Sequence, residues 1–366
     1  MNARFLIGSF FVGLLACAPA YADVTIGFVE PMTGKYAVLG EQLKRGTDQA
    51  VKDINAAGGI NGEKIVLHPG DDACDPKQAV SAANEMASAG IKFVVGHVCS
   101  GSAIPASKVY MEEGMLLISP GASNPKLTDE AKDLIFRTFG RDDNEGAVLG
   151  QYIAKHFRNQ KIAIIQDNSA YGYGMAEAVK KILNGRGVNE VLFEGYTPGE
   201  RDYSALISKL KQAGVEVLII GGYHTEAGLI ARQIKEQGVN IQIVGGNALV
   251  TDEFWSIAGP AGEGTLISFT SDPRKVPQAK NIIEEMRKSG YEPEGYTLFS
   301  YAAVQIMAEG IKRAGKTDPM KVAAALRSAP VQTILGPLSF DAKGDVSGVE
   351  YAIYRWHDGK YTEVGN

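Results

Sequence analysis

Val217-Leu218-Ile219-Ile220 is apolar at every position. A strand with that composition has no solvent face, so it belongs in a sheet covered on both sides, which in practice means a parallel sheet flanked by helices. The same run recurs along the chain, each time followed by a segment of helical periodicity. Val24 to Val29 reads as a strand, and Glu41 to Ile54 as a helix stopped by Gly58-Gly59. Lys64 to His68 reads as a strand. Pro76 to Ala89 reads as a helix with proline in its first turn and Gly90 after its end. Ile91–Val95, Ala103–Glu113 and Met115–Ser119 continue the alternation as strand, helix and strand.

The rhythm restarts after residue 140. Helices are expected over Gly146–Phe157, Met175–Leu183, Tyr203–Gln212 and Thr225–Gln237. They alternate with strands at Lys161–Ile165, Val191–Gly195, Val215–Ile220 and Ile241–Val244. Beyond about residue 270 the pattern changes to two helices, Tyr296–Ala314 and Pro319–Ser328. Short strands at Leu338–Phe340 and Tyr351–Trp356 follow. Two doubly wound α/β lobes in tandem account for this order, and about 340 residues is more than one core usually supports.

Residues 1–22 are set apart. A short basic start, an apolar stretch from Phe5 to Ala16 and the Ala20-Tyr21-Ala22 triplet have the form of a cleaved export signal, with the mature chain starting at Asp23. Cys17 follows Leu14-Leu15-Ala16, which allows a lipid-anchored alternative, but Leu15 is a poor fit to that motif and cleavage after Ala22 is the expectation. No later stretch is long and apolar enough to span a bilayer. Cys74 and Cys99 remain as an even pair. They are either a disulfide suited to an oxidising compartment or two buried thiols.

The chain carries 37 Lys and Arg against 42 Asp and Glu, without a basic stripe, so nucleic acid is not an expected partner. Neither a phosphate-binding P-loop, a complete dinucleotide fingerprint, a Gly-x-Ser-x-Gly elbow nor a His-Glu-x-x-His pair occurs. His68, His97, His156, His224 and His357 are scattered and read as structural or exposed. The acids Asp71-Asp72-Asp75 and Asp142-Asp143 read as a strand-end turn and a helix start rather than a calcium loop. No metal, cofactor or turnover is expected.

Binding chemistry remains. In doubly wound sheets ligands lie beyond the carboxyl ends of strands. Cys99-Ser100-Gly101-Ser102 and Ser119-Pro120-Gly121-Ala122-Ser123 place hydroxyls and small residues there, able to hold an anionic group or simply to cap helices. Tyr171 and Tyr223 follow later strands, as does Gly245-Gly246-Asn247.

Taken together, Asp71-Asp72-Ala73-Cys74-Asp75-Pro76-Lys77-Gln78-Ala79-Val80, Gly96-His97-Val98-Cys99-Ser100, Tyr171-Gly172, Gly221-Gly222-Tyr223-His224 and Gly336-Pro337-Leu338 resemble the periplasmic leucine/isoleucine/valine-binding proteins of ABC importers. The resemblance runs in order over nearly the whole mature chain. It implies an α/β fold of the type I periplasmic binding protein kind, two lobes joined by a three-crossing hinge. The lobes would be 23–141 plus 271–346, and 142–270 plus 347–366. It also implies a Cys74–Cys99 disulfide, a monomer, an amino-acid ligand and a membrane permease as partner. Carried over position by position, Ser100, Ala122 and Ser123 would hold the ligand carboxylate, and Gly121 and Tyr223 would meet its amino-acid head group. Leu39, Val98, Tyr171 and Tyr296 would line the side chain.

Two positions depart from the family. Leu39 replaces a frequent aromatic ring, and Asn247 replaces a carboxylate that pairs with the ligand ammonium. The amide implies weaker amino-acid binding, compensation by another acid such as Asp142, or a ligand without an ammonium: an amide, short carboxylate or aromatic acid.

Overall fold

The computed structural model describes residues 23–364. The export signal, its cleavage site and Cys17 lie outside the described residues.

Two separate sheets are present, each built by the expected alternation. The first has β1 (Val24–Glu30), β2 (Ile65–Asp71), β3 (Phe93–Gly96), β4 (Leu116–Ser119) and β5 (Ile135–Arg137). They are all parallel, in the order β2-β1-β3-β4-β5. The second has β6 (Ile162–Gln166), β7 (Leu192–Gly195), β8 (Val217–Gly221), β9 (Gln242–Gly245) and β10 (Leu266–Thr270), parallel to one another. A small ladder pairs β11 (Val331–Thr333) with β12 (Gly336–Leu338). The chain then returns to the second sheet as β13 (Tyr351–His357) and β14 (Lys360–Glu363). Both are antiparallel additions, giving the order β14-β13-β10-β9-β8-β6-β7.

The strand β8, apolar on both faces, is buried along its whole length in the middle of its sheet, as its sequence requires. In the first sheet one face is covered by helices Pro76–Ser88 and Ser100–Glu112. The other is covered by Ala37–Ala56 together with the late helices Lys280–Lys288, Thr297–Ala314 and Pro319–Ser328. Helix Thr297–Ala314 is buried on almost every side. It crosses helix Ala37–Ala56 at Gly46, where a Cβ would stand only 2.0 Å from the Thr297 carbonyl oxygen.

Several boundaries differ from the sequence reading. Helices begin earlier, at Ser100, Asp142 and Ala170, because their small or acidic first residues suit a first turn. Strands β5 and β10 and helices Asp252–Ala258 and Lys280–Lys288 were not foreseen. The strand expected at Leu338–Phe340 lies slightly earlier, and Phe340 makes only an isolated bridge to Val346.

Cys74 and Cys99 form a disulfide, Cα–Cα 5.5 Å. It ties the turn after β2 to the residue that precedes helix Ser100–Glu112. Closing a loop of this size is worth about 3 kcal/mol through the unfolded chain. The double replacement Cys74→Ser/Cys99→Ser is therefore expected to lower the urea unfolding free energy by about that amount. An unchanged midpoint would contradict it.

Candidate functional site

In each sheet the strand order reverses direction once, between β1 and β3 and between β6 and β8. The carboxyl ends at these reversals form crevices, and the two crevices face each other.

On the first sheet, β3 ends at Gly96. Its φ of +155° brings the backbone so close to Val29 that a Cβ would lie 2.2 Å from the Val29 carbonyl oxygen. The next residues are held from below. The His97 ring bridges Asp72 (2.6 Å) and the Tyr110 hydroxyl (2.9 Å), all three buried. The Val98 N–H donates to Glu30 Oε2 at 2.7 Å. Ser100 then opens its helix and accepts from the Asn124 N–H (3.2 Å).

The turn after β4 is braced in the same way. Ser119 Oγ donates to the His97 carbonyl and accepts from the Ala122 N–H. The fully buried Arg137 donates to the carbonyls of Ala122 (2.8 Å) and Asn124 (3.2 Å) and pairs with Asp345 at 2.6 Å. Gly121 lies between Val98 and Tyr296, whose nearest atoms would be 2.6 and 3.2 Å from an added Cβ.

From the second sheet, Asn247 follows β9 and Tyr223 follows β8. The Tyr223 ring packs on Tyr36 (centroids 4.4 Å) and Tyr171 (5.1 Å). The Tyr171 hydroxyl accepts from the Ala248 N–H at 3.3 Å. Tyr296 reaches across to Asn247, hydroxyl to Oδ1, at 2.5 Å. Further contacts close the crevices on one another: Lys35 Nζ to Glu226 (2.8 Å), the Tyr36 hydroxyl to Glu226 (3.2 Å) and Asn124 Nδ2 to the Ala170 carbonyl (2.6 Å). Leu39, Val98, Ser100, Gly121, Ala122, Ser123, Tyr171, Tyr223, Asn247 and Tyr296 are all buried at this junction.

Of the acids there, only Asp142 was expected near the ligand. Glu30, Asp142, Glu145, Asp167 and Glu226 are all buried. Asp142 donates its N–H to the Ser123 carbonyl at 2.9 Å. Ser123's hydroxyl lies alongside, yet no hydrogen bond of good geometry reaches either Asp142 carboxylate oxygen. Burial pushes this carboxyl up to about 7. Glu145, one helical turn on, is pushed up to about 8 by burial and then by the Asp142 charge. Glu30 is raised by burial and by Asp72, and Asp167 by burial. The available signal was an acid at the end of an apolar strand, as in Glu30 and Asp167. Glu145 carried none beyond its place in a helix first turn.

Among the described residues no group of three or more His, Cys, Asp or Glu side chains is placed to hold a metal ion. None of the helices among the described residues is long and apolar enough to cross a membrane. His97 and His224 are buried in side-chain hydrogen bonds, consistent with structural roles. Asp75 caps helix Pro76–Ser88, accepting from the N–H groups of Lys77 and Gln78.

Comparison with known proteins agrees with this architecture. A family model described as "Periplasmic binding protein" matches residues 23–360. The Leu/Ile/Val-binding protein homolog 1 of Brucella suis is 52% identical over 349 residues, covering 94% of each chain. The leucine-binding protein LivK of Thermotoga maritima superposes with a TM-score of 0.87 at 23% identity, covering 93% of this chain and 98% of its own. The branched-chain amino-acid transporter substrate-binding protein LivJ of Streptococcus pneumoniae, solved with isoleucine, gives 0.83 at 25% identity, covering 93% and 99%. The chain belongs to the periplasmic binding protein family.

Proposed function

We propose that this protein is the periplasmic solute-binding component of an ABC importer, and that it encloses an aliphatic, branched-chain amino acid between its lobes and delivers it to a membrane permease. One observation carries the reading. The junction sets a hydroxyl-bearing, helix-start turn (Ser100, Ala122, Ser123) against a buried amide backed by acids (Asn247, Glu145), with tyrosines and Leu39 and Val98 between. Such a site offers donors to a carboxylate, acceptors to an ammonium and apolar surface to a side chain.

The lobes would be 23–141 plus 271–346 and 142–270 plus 347–366, closing about the three segments that pass between the sheets. The binding step needs no turnover and no cofactor. Export of the chain and removal of residues 1–22 belong to the same reading. A ligand without an ammonium is disfavoured, because the loss of charge at Asn247 is accompanied by Glu145 directly behind it.

Calorimetric titration of the mature chain with the twenty amino acids is expected to give heat with leucine, isoleucine or valine. Ser100→Ala should weaken that binding by about tenfold, the worth of one hydrogen bond to a charged group. No heat with any amino acid would end the proposal.

A further inference from the structure

Glu145 is an acid in an improbable place. It is fully buried, and the charge of Asp142, of the same sign, acts on it; no Lys, Arg or His forms an ion pair with it among the described residues. It accepts three hydrogen bonds: from the Asn247 N–H (2.9 Å), from Asn247 Nδ2 (2.5 Å) and from the Ser268 hydroxyl (2.7 Å). Three donors converging on one carboxyl are arranged for its ionised form. A buried carboxylate without a cation is costly, so the arrangement makes sense when a cation arrives from outside.

The geometry of Asn247 shows how that charge is presented. Its Nδ2 is turned onto Glu145, which fixes Oδ1 on the opposite side, toward Tyr296. The Tyr296 hydroxyl uses one lone pair of that oxygen, and a carbonyl oxygen has a second. Hydrogen-bonding to a carboxylate polarises the amide and raises the negative charge on Oδ1. With Glu145 ionised there is no freedom to flip, since the reversed amide would set Oδ1 against the carboxylate.

We propose that Glu145 supplies the negative charge that answers the ligand's ammonium, acting as a positioning residue through Asn247, whose Oδ1 is the atom that meets the ammonium. The inference rests on the amino-acid reading of the site and adds to it. Recognition charge that would be expected at position 247 has moved one shell back, onto a different helix, with the amide as relay.

The test uses the mature full-length chain, L-leucine and its des-amino analogue 4-methylpentanoate, titrated calorimetrically. Glu145→Gln should lose leucine affinity about 10–100-fold, while its affinity for 4-methylpentanoate is unchanged or improved. The exchange variant Glu145→Gln/Asn247→Asp, which returns the acid to the position facing the ligand, should recover most of the leucine affinity. A folded Glu145→Gln protein that binds leucine within about twofold of the wild type overturns the relay and leaves the amino-acid reading intact. An equal loss for both ligands, with no recovery in the exchange variant, reduces Glu145 to a structural residue. If 4-methylpentanoate gives no heat with the wild type, the exchange variant alone decides. A wild type that binds no amino acid removes the underlying reading instead.

Discussion

Arg137→Met should cost about 3–5 kcal/mol of folding stability, the usual penalty for removing one partner of a buried ion pair. Arg137 is fully buried. It pairs with Asp345, donates to the Thr128 hydroxyl (2.6 Å) and holds the carbonyls of Ala122 and Asn124. Methionine fills similar space but strands the Asp345 carboxylate, which would then rely on Arg141 (2.8 Å) and Thr128. The same change should weaken ligand binding, because the turn that carries Ala122 and Ser123 loses its brace. Urea unfolding gives the first quantity and calorimetric titration the second. A loss below about 1 kcal/mol would show that the pair is dispensable. Asp345→Asn, which keeps a hydrogen-bonding group beside Arg137, should cost less.

Leucine affinity should rise with pH between about 6 and 8, then level off, gaining on the order of tenfold per pH unit over the steepest part. Asp142 and Glu145 are pushed up to about 7 and about 8, chiefly by burial. Arg137 and Arg141 pull Asp142 down, and Asp143 pushes it up. Tyr171, Tyr296 and Tyr351 also lie within reach of these acids but stay protonated across the range, their hydroxyls raised by burial. An ammonium binds the ionised acids best, so binding below pH 8 must release protons.

Stability of the empty protein should run the other way. In the unfolded chain these acids titrate near 4. Between that pH and their folded values the folded state holds more protons than the unfolded state. Stability is therefore fully present only below about pH 4 and falls as pH rises from there toward 8, by up to about 1.4 kcal/mol per unit for each group. Titrations in buffers of different ionisation enthalpy measure the proton release. A flat affinity from pH 5.5 to 8.5 would contradict the assignment of these acids to the ligand.

The residues that sequence reading located and those it missed differ in a physical way. β8 was legible because Val217–Ile220 admits only one environment. Ser100 and Tyr223 were legible because strand ends in this architecture point at the crevice. β5 was not, since three residues ending in Arg137 look like an exposed turn until Asp345, far along the chain, makes that arginine buriable. β10 was obscured by Ser268, a polar residue inside a strand, which faces Glu145. Glu145 itself sits in the first turn of helix Asp142–His156, where any acid is explained by the helix dipole. Its contact with Asn247 joins residues 102 positions apart, and local pattern carries no trace of it.

The late return of the chain to both sheets also dictates the order in which the molecule can be finished. The face of the first sheet opposite helices Pro76–Ser88 and Ser100–Glu112 is covered largely by helices beyond residue 280, and β10 gains its outer neighbour only when β13 arrives. Neither sheet is covered and paired by one uninterrupted stretch of sequence. A nascent chain would carry open apolar sheet faces and an unpaired strand edge until the residues of β13 emerge. Completion of one half before the other has emerged is therefore not expected of this topology.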